Sequence, residues 1–131
     1  MPAVIGLVLL VSACGGEATR PASGPEASLR ITHVLDPSAN ALYMEGSVWH
    51  VRVVDSKGQA VLDRKLFEDS VSVRLGEGQY RLESEELPCD GTCAHLDPAM
   101  DPCSSDFSVK PGDRLAAKVS LRPAHGCKIT F

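Results

Sequence analysis

From residue 29 onward, apolar side chains recur at every second position, the spacing of a strand with one buried face and one wet face. Leu29, Ile31 and His33 alternate with polar neighbours, and Trp49, Val51 and Val53 share a face opposite His50 and Arg52. Val61 opens a further short run, and Val71, Val73 and Leu75 alternate with Ser72 and Arg74. Tyr80 and Leu82 alternate with Arg81 and Glu83, and Phe107 and Val109 make another run. Leu115, Ala117, Val119 and Leu121 give the longest regular alternation, before Ile129 and Phe131 close the chain. Turn-forming groups separate these runs: Asp55-Ser56-Lys57-Gly58, Gly76-Glu77-Gly78, Pro111-Gly112-Asp113 and the stretch from Pro123 to Gly126. No segment sustains a helical period. Seven or eight short strands at this spacing predict an all-β fold, a single antiparallel β-sandwich.

Composition narrows this picture. A chain of 131 residues has room for one such domain and a short tether, not for a second core. Aromatic residues make up only 5% of it, so the core has to be built mainly from Val, Leu and Ala. The net charge is −4, and the basic residues are spread singly, as at Arg52, Arg64, Arg74 and Arg81. Without a basic face, nucleic acid is excluded as a partner.

Ahead of the domain the pattern changes twice. Residues 2–11 are almost wholly apolar, about ten positions against the roughly twenty that a membrane-spanning helix needs, which is the length of a signal-peptide core. Val11-Ser12-Ala13-Cys14 follows directly and resembles the lipobox of bacterial lipoproteins. The resemblance implies cleavage before Cys14, a diacylglycerol thioether on that cysteine, and an extracytoplasmic domain anchored to the bacterial cell membrane through the lipid. Stable anchoring takes about two acyl chains, which a diacylated cysteine supplies. A leader of this kind ordinarily begins with Lys or Arg, whereas here only the Met1 amine is positive. Residues 15–28 are rich in Gly, Pro, Ser and Ala without periodicity, the composition of a flexible linker. The expected organisation is a signal peptide over residues 1–13, a lipid-anchored linker over 14–28 and the sandwich over 29–131.

Within the domain, Val51-Arg52-Val53-Val54-Asp55-Ser56-Lys57-Gly58-Gln59-Ala60-Val61 is similar to the opening hairpin of transthyretin-like modules, among them carboxypeptidase regulatory domains and collagen-adhesin B-type repeats. Gly78-Gln79-Tyr80-Arg81-Leu82 resembles their Gly-x-Tyr-x-Leu strand, and Phe107-Ser108-Val109-Lys110-Pro111-Gly112-Asp113 resembles their penultimate hairpin. The resemblance implies a prealbumin-like sandwich used for binding or spacing rather than catalysis. The isopeptide bond of the adhesin repeats is not carried over, because Asn40, the single Asn, precedes the matched region.

Four cysteines follow Cys14: Cys89, Cys93, Cys103 and Cys127. An even number in an exported domain points to two disulfides, with three connectivities to choose from. If the strand through Phe107 pairs with the strand through Leu115, Cys103 comes close to Cys127, leaving Cys89 and Cys93 as a small local ring. The segment between Cys89 and Cys103 is the least regular of the domain, and long irregular loops often carry function. His95, Asp97, Met100 and Asp101 are its candidate binding residues, toward an envelope protein or a small ligand. An alternative uses Cys89, Cys93, His95 and Cys103, with Met100 nearby, as soft ligands for copper or zinc. A third would place calcium on Asp90, Asp97, Asp101 and Asp106, although their spacing matches no calcium loop.

Catalysis has little support. Ser104, Ser105 and Asp106 sit beside Cys103, but no His is marked as a partnering base. His33 and His50 lie on strands as packed or surface residues, His125 falls in a turn, and Trp49 belongs to the core more readily than to a ligand-stacking face. Glu83, Glu85 and Glu86 read as a solvated strand end. The sequence therefore leads to a non-catalytic, lipid-anchored binding module that needs no cofactor. A metal-handling lipoprotein and a structural envelope component are the alternatives.

Overall fold

The computed structural model describes residues 24–36, 46–122 and 125–131; Cys14, the expected leader and Asn40 lie outside the described residues. The described part is all-β. Its strands are β1 (Ala27–Leu35), β2 (Ser47–Asp55), β3 (Ala60–Leu66), β4 (Ser70–Leu75), β5 (Gly78–Pro88), β6 (Met100–Val109), β7 (Arg114–Leu121) and β8 (Cys127–Thr130). They form two four-stranded sheets, ordered β4-β1-β7-β8 and β3-β2-β5-β6. The neighbours run antiparallel except for β1 and β7, which pair in parallel from Ser28–Arg114 to Leu35–Leu121.

Alternation decides what each sheet turns inward. Leu29 and Ile31 from β1, Val51 and Val53 from β2, Leu82 from β5 and Val119 from β7 are fully buried between the sheets. Burying such side chains stabilises the fold by about 1.5–3 kcal/mol each. Trp49, Leu62, Tyr80 and Phe107 pack against the same core from partly buried positions. The core is thus aliphatic, with its few aromatics at the margins, as the low aromatic content requires.

Two expected turns form hairpins and two do not. At Asp55 the carboxylate Oδ1 accepts from the backbone N–H groups of Lys57 and Gln59, both at 2.9 Å, and Gly58 takes a positive φ of 80°. The resulting hairpin joins β2 to β3, with a bulge at Val53/Val54. The turn through Gly126 likewise joins paired strands, β7 and β8. In contrast, Gly76–Gly78 and Pro111–Asp113 carry the chain from one sheet to the other. The strand through Phe107 therefore does not pair with the strand through Leu115: β6 pairs with β5, and β7 with β1 and β8. Pro-Gly and Gly-x-Gly turns reverse the chain equally well within a sheet and between sheets, so the local residues do not distinguish the two.

The disulfides are nevertheless Cys89–Cys93 and Cys103–Cys127. Their geometric cause differs from the expected one: Cys103 on edge strand β6 and Cys127 on edge strand β8 meet across the gap between the sheets, Cα atoms 5.3 Å apart. Closing a loop of this size contributes about 3 kcal/mol by restricting the unfolded chain.

Two boundaries also differ from the pattern. Order begins before Leu29, since Ala27 is buried and Gly112 N donates to Pro25 O at 2.8 Å, docking the chain entry on the β6–β7 turn. At the other end of the domain, β6 starts at Met100 rather than at Phe107. Cys103 and Ser105 lie on its inward side although they are not apolar enough to announce a strand.

Candidate functional site

The segment singled out by its irregularity shrinks to residues 90–99. The Cys89–Cys93 ring packs on Val48 and Leu87, forming a small apolar cluster outside the main core. Cys93 takes a left-handed φ of 56° and its N–H donates to Asp90 O at 3.0 Å. Farther along, Cys89 and Leu96 form an isolated bridge and Asp97 N donates to Pro88 O at 2.8 Å. The loop is therefore folded back and stapled. His95 and Asp97 are exposed on it, and Met100 is exposed at the start of β6. Asp101 is turned away: at a φ of 50° its Oδ1 accepts from Gly126 N at 2.9 Å, which ties β6 to the β7–β8 turn. Cys89, Cys93 and Cys103 are in disulfides, so the thiolates of a soft-metal site are already used in S–S bonds. Among the described residues, no group of three or more His, Cys, Asp or Glu is arranged to hold a metal ion, the aspartates considered for calcium included.

The outer face of the β3-β2-β5-β6 sheet carries a second candidate. The register sets His50 opposite Glu85 and Arg52 opposite both Glu83 and Asp63. His50 Nδ1 donates to Glu85 Oε1 and Nε2 to Asp63 Oδ1, both at 2.7 Å. Arg52 donates to Glu83 at 3.1 Å and lies 3.4 Å from Asp63. One strand farther, Arg81 donates to Asp106 at 2.7 Å. Partial burial disfavours the His50 imidazolium, but the hydrogen bonds to Asp63 and Glu85 together outweigh it and raise its pKa above the ordinary value. A shallow groove of about 430 Å³ follows this face, lined by His50, Arg52, Glu83, Glu85 and Ser104 among others. Its charges are paired across strands, which is how a sheet stabilises a polar face. Both His50 nitrogens are taken by carboxylates.

The third candidate is buried. Continuing the alternation of Tyr80 and Leu82 turns Ser84 and Glu86 inward, and both lie in the interior. His33 from the facing sheet stacks on Trp49 with ring centroids 4.4 Å apart, and its Nε2 lies 3.0 Å from Ser84 Oγ. Trp49 is the register partner of Glu86. Glu86 is 1% exposed, and neither of its carboxylate oxygens is in hydrogen-bond geometry with any donor; the same holds for His33 Nδ1. Burial raises the Glu86 pKa, with nearby Asp101 adding to the rise and the Ser47 hydroxyl opposing it. For His33, burial lowers the pKa to about 4 against weaker opposition from Asp69. The pair lies beside an open cavity of about 510 Å³ at this end of the sandwich, also bordered by Leu35, Ser47, Asp69 and Leu121. An unpartnered polar group in such a place costs about 1–3 kcal/mol, and more if charged.

The sequence pattern missed Glu86 because it sits in a run of acids that resembles a wet strand end. The signal that would have found it is the strand period itself, carried past Leu82 for two more steps. Trp49 stands between the two roles considered for it: it borders the core and also lines the cavity.

Compared with known proteins, the chain matches no family model, no curated protein and no solved structure.

Proposed function

We propose that this chain is a lipid-anchored, extracytoplasmic binding module of the bacterial cell envelope, acting without catalysis and without a resident cofactor. The observation that carries the reading is the cysteine pairing. Cys89, Cys93, Cys103 and Cys127 pair among themselves, so of the five cysteines in the chain the one left over is Cys14, at the end of the lipobox-like motif. Two disulfides favour an oxidising compartment, and an odd cysteine placed after an apolar leader favours modification rather than pairing. The transthyretin-like resemblance belongs to the same reading: β-sandwiches of that kind serve as binding or spacing modules. The pairing weighs against the metal-handling alternative, since that reading needs free thiols at Cys89, Cys93 and Cys103.

The test is anchoring. In a bacterial host, the wild-type chain should incorporate radiolabelled palmitate and sediment with membranes, and Cys14→Ser should abolish both. Labelling that survives Cys14→Ser, or a wild-type protein that is unlabelled and freely soluble, would overturn the reading.

A further inference from the structure

We propose that the cavity bounded by His33, Trp49 and Glu86 binds a small organic cation of the amine or guanidinium class, its N–H groups held by the Glu86 carboxylate and His33 Nδ1 beside the Trp49 indole. The inference deepens the binding reading by supplying a place and a ligand class, and it does not depend on the lipid at Cys14.

Three observations converge on it. First, the unmet hydrogen-bonding capacity is mainly on the acceptor side: neither buried Glu86 oxygen makes a hydrogen bond of full geometry, the Ser47 hydroxyl being the one donor that acts on the carboxylate. His33 Nδ1, which has no partner of full geometry, accepts in the tautomer whose Nε2–H donates to Ser84 Oγ and donates in the other. A ligand rich in N–H groups satisfies both Glu86 oxygens, while a carboxylate or phosphate satisfies neither. Second, Asp69 also borders the cavity, and no Arg or Lys does among the described residues. The local field therefore favours a positive guest, in contrast with the outer face, where Arg52, Arg81 and His50 answer the acids. Third, the remaining wall is apolar and aromatic, from Leu35, Leu121 and Trp49. A volume of about 510 Å³ lies in the range of small-molecule sites, which combine apolar walls with a few convergent polar groups.

Because Trp49 is the only tryptophan, intrinsic fluorescence of the full chain in detergent reports on this cavity directly. Three probes are titrated: n-butylguanidinium, its neutral analogue n-butylurea, and a short peptide carrying one arginine. The expected result is a saturable emission change with n-butylguanidinium and none with n-butylurea over the same range. Glu86→Gln should weaken the cation at least about tenfold, while Glu86→Asp, which keeps the charge, and Glu83→Gln on the outer face should retain it. Near-UV circular dichroism checks that each variant keeps the fold. Binding of the peptide as tight as that of the free cation would assign the site to a partner's side chain, and binding of the free cation alone to a soluble small molecule. Equal response to n-butylurea, unchanged affinity in folded Glu86→Gln, or no saturable response to either cationic probe would overturn the proposal. Any of these leaves the anchoring result untouched, and an unlipidated Cys14 would leave this cavity unchanged.

Discussion

The two strand histidines of this domain have the same intrinsic chemistry and opposite surroundings. His50 sits on the outer face of its sheet with a carboxylate on each nitrogen, and its pKa rises. His33 sits between the sheets against Trp49 and Ser84, and its pKa falls to about 4. The acids divide in the same way: Glu83 and Glu85 are answered across strands, whereas Glu86, next in the chain, is buried with no cationic partner and no hydrogen bond of full geometry. One face of the sheet completes its own polar pairing and has little left to offer a ligand. The other keeps unmet polar groups at a cavity, at a cost to stability. Proteins retain such a cost at functional sites more readily than elsewhere, so the interior end is the stronger candidate for binding.

The contrast can be tested through stability. The largest effect belongs to His33. Its folded pKa of about 4 lies below the ordinary 6.5, so below pH 6.5 the unfolded chain takes up a proton that the native state refuses. Stability should fall as pH drops through that window, by about 3 kcal/mol at pH 4. Chemical denaturation of His33→Phe, which keeps a ring against Trp49, should lack this component. An identical acid profile in variant and wild type would remove His33 from the account.

A comparable loss should follow opening of the sheet edge. The double variant Cys103→Ser/Cys127→Ser is expected to lose about 3 kcal/mol. Cys89→Ser/Cys93→Ser closes a shorter ring and should lose less, about 2 kcal/mol. Equal losses would mean that loop length does not govern the stabilisation.

Glu86→Gln should act in the opposite direction, raising stability at neutral pH by removing the desolvation cost of a buried carboxylate. Because its folded pKa is raised, the wild-type penalty is absent below the unfolded carboxylate range and grows as pH rises through it. The advantage of the variant should therefore shrink in acid. A destabilised, folded Glu86→Gln would show that hydrogen bonds to the carboxylate, the Ser47 hydroxyl's among them, outweigh its burial.

The smallest effect is on the outer face. The raised pKa of His50 means that its ion pairs stabilise the fold fully below the unfolded histidine pKa and fade as pH rises through the folded one. Exposure and screening keep the contribution under about 1 kcal/mol. His50→Gln should thus lose stability mainly on the acid side, and less at high salt. A larger loss at alkaline pH would contradict the sign.

Much of the fold was readable from the period of two. Leu29, Ile31, Val51, Val53 and Leu82 are where alternation put them. What the period did not encode was which sheet each strand joins. That choice is made by contacts far apart in sequence, and the β6–β7 turn uses the same Pro-Gly chemistry whether it joins neighbours or crosses a sandwich. The cysteine pairing was reached from a strand pairing that does not form, because sheet neighbours and facing edge strands both bring Cys103 near Cys127. The candidate site was less readable. Irregularity pointed to the segment between Cys89 and Cys103, of which residues 90–99 form a stapled loop with His95 and Asp97 exposed, while the rest belongs to β6. The polar cluster at the cavity is assembled from β1, β2 and β5, and each of its members looks ordinary within its own strand.

The most direct test of the central claim is the intact mass of the protein isolated from its native membrane, measured before and after reduction with alkylation. The account predicts a chain that begins at Cys14 and carries a diacylglycerol adduct. Reduction should open two disulfides and expose four thiols to alkylation, with none reactive beforehand. Free thiols at Cys89, Cys93 or Cys103 in the untreated protein, or a Cys14 without lipid, would contradict it.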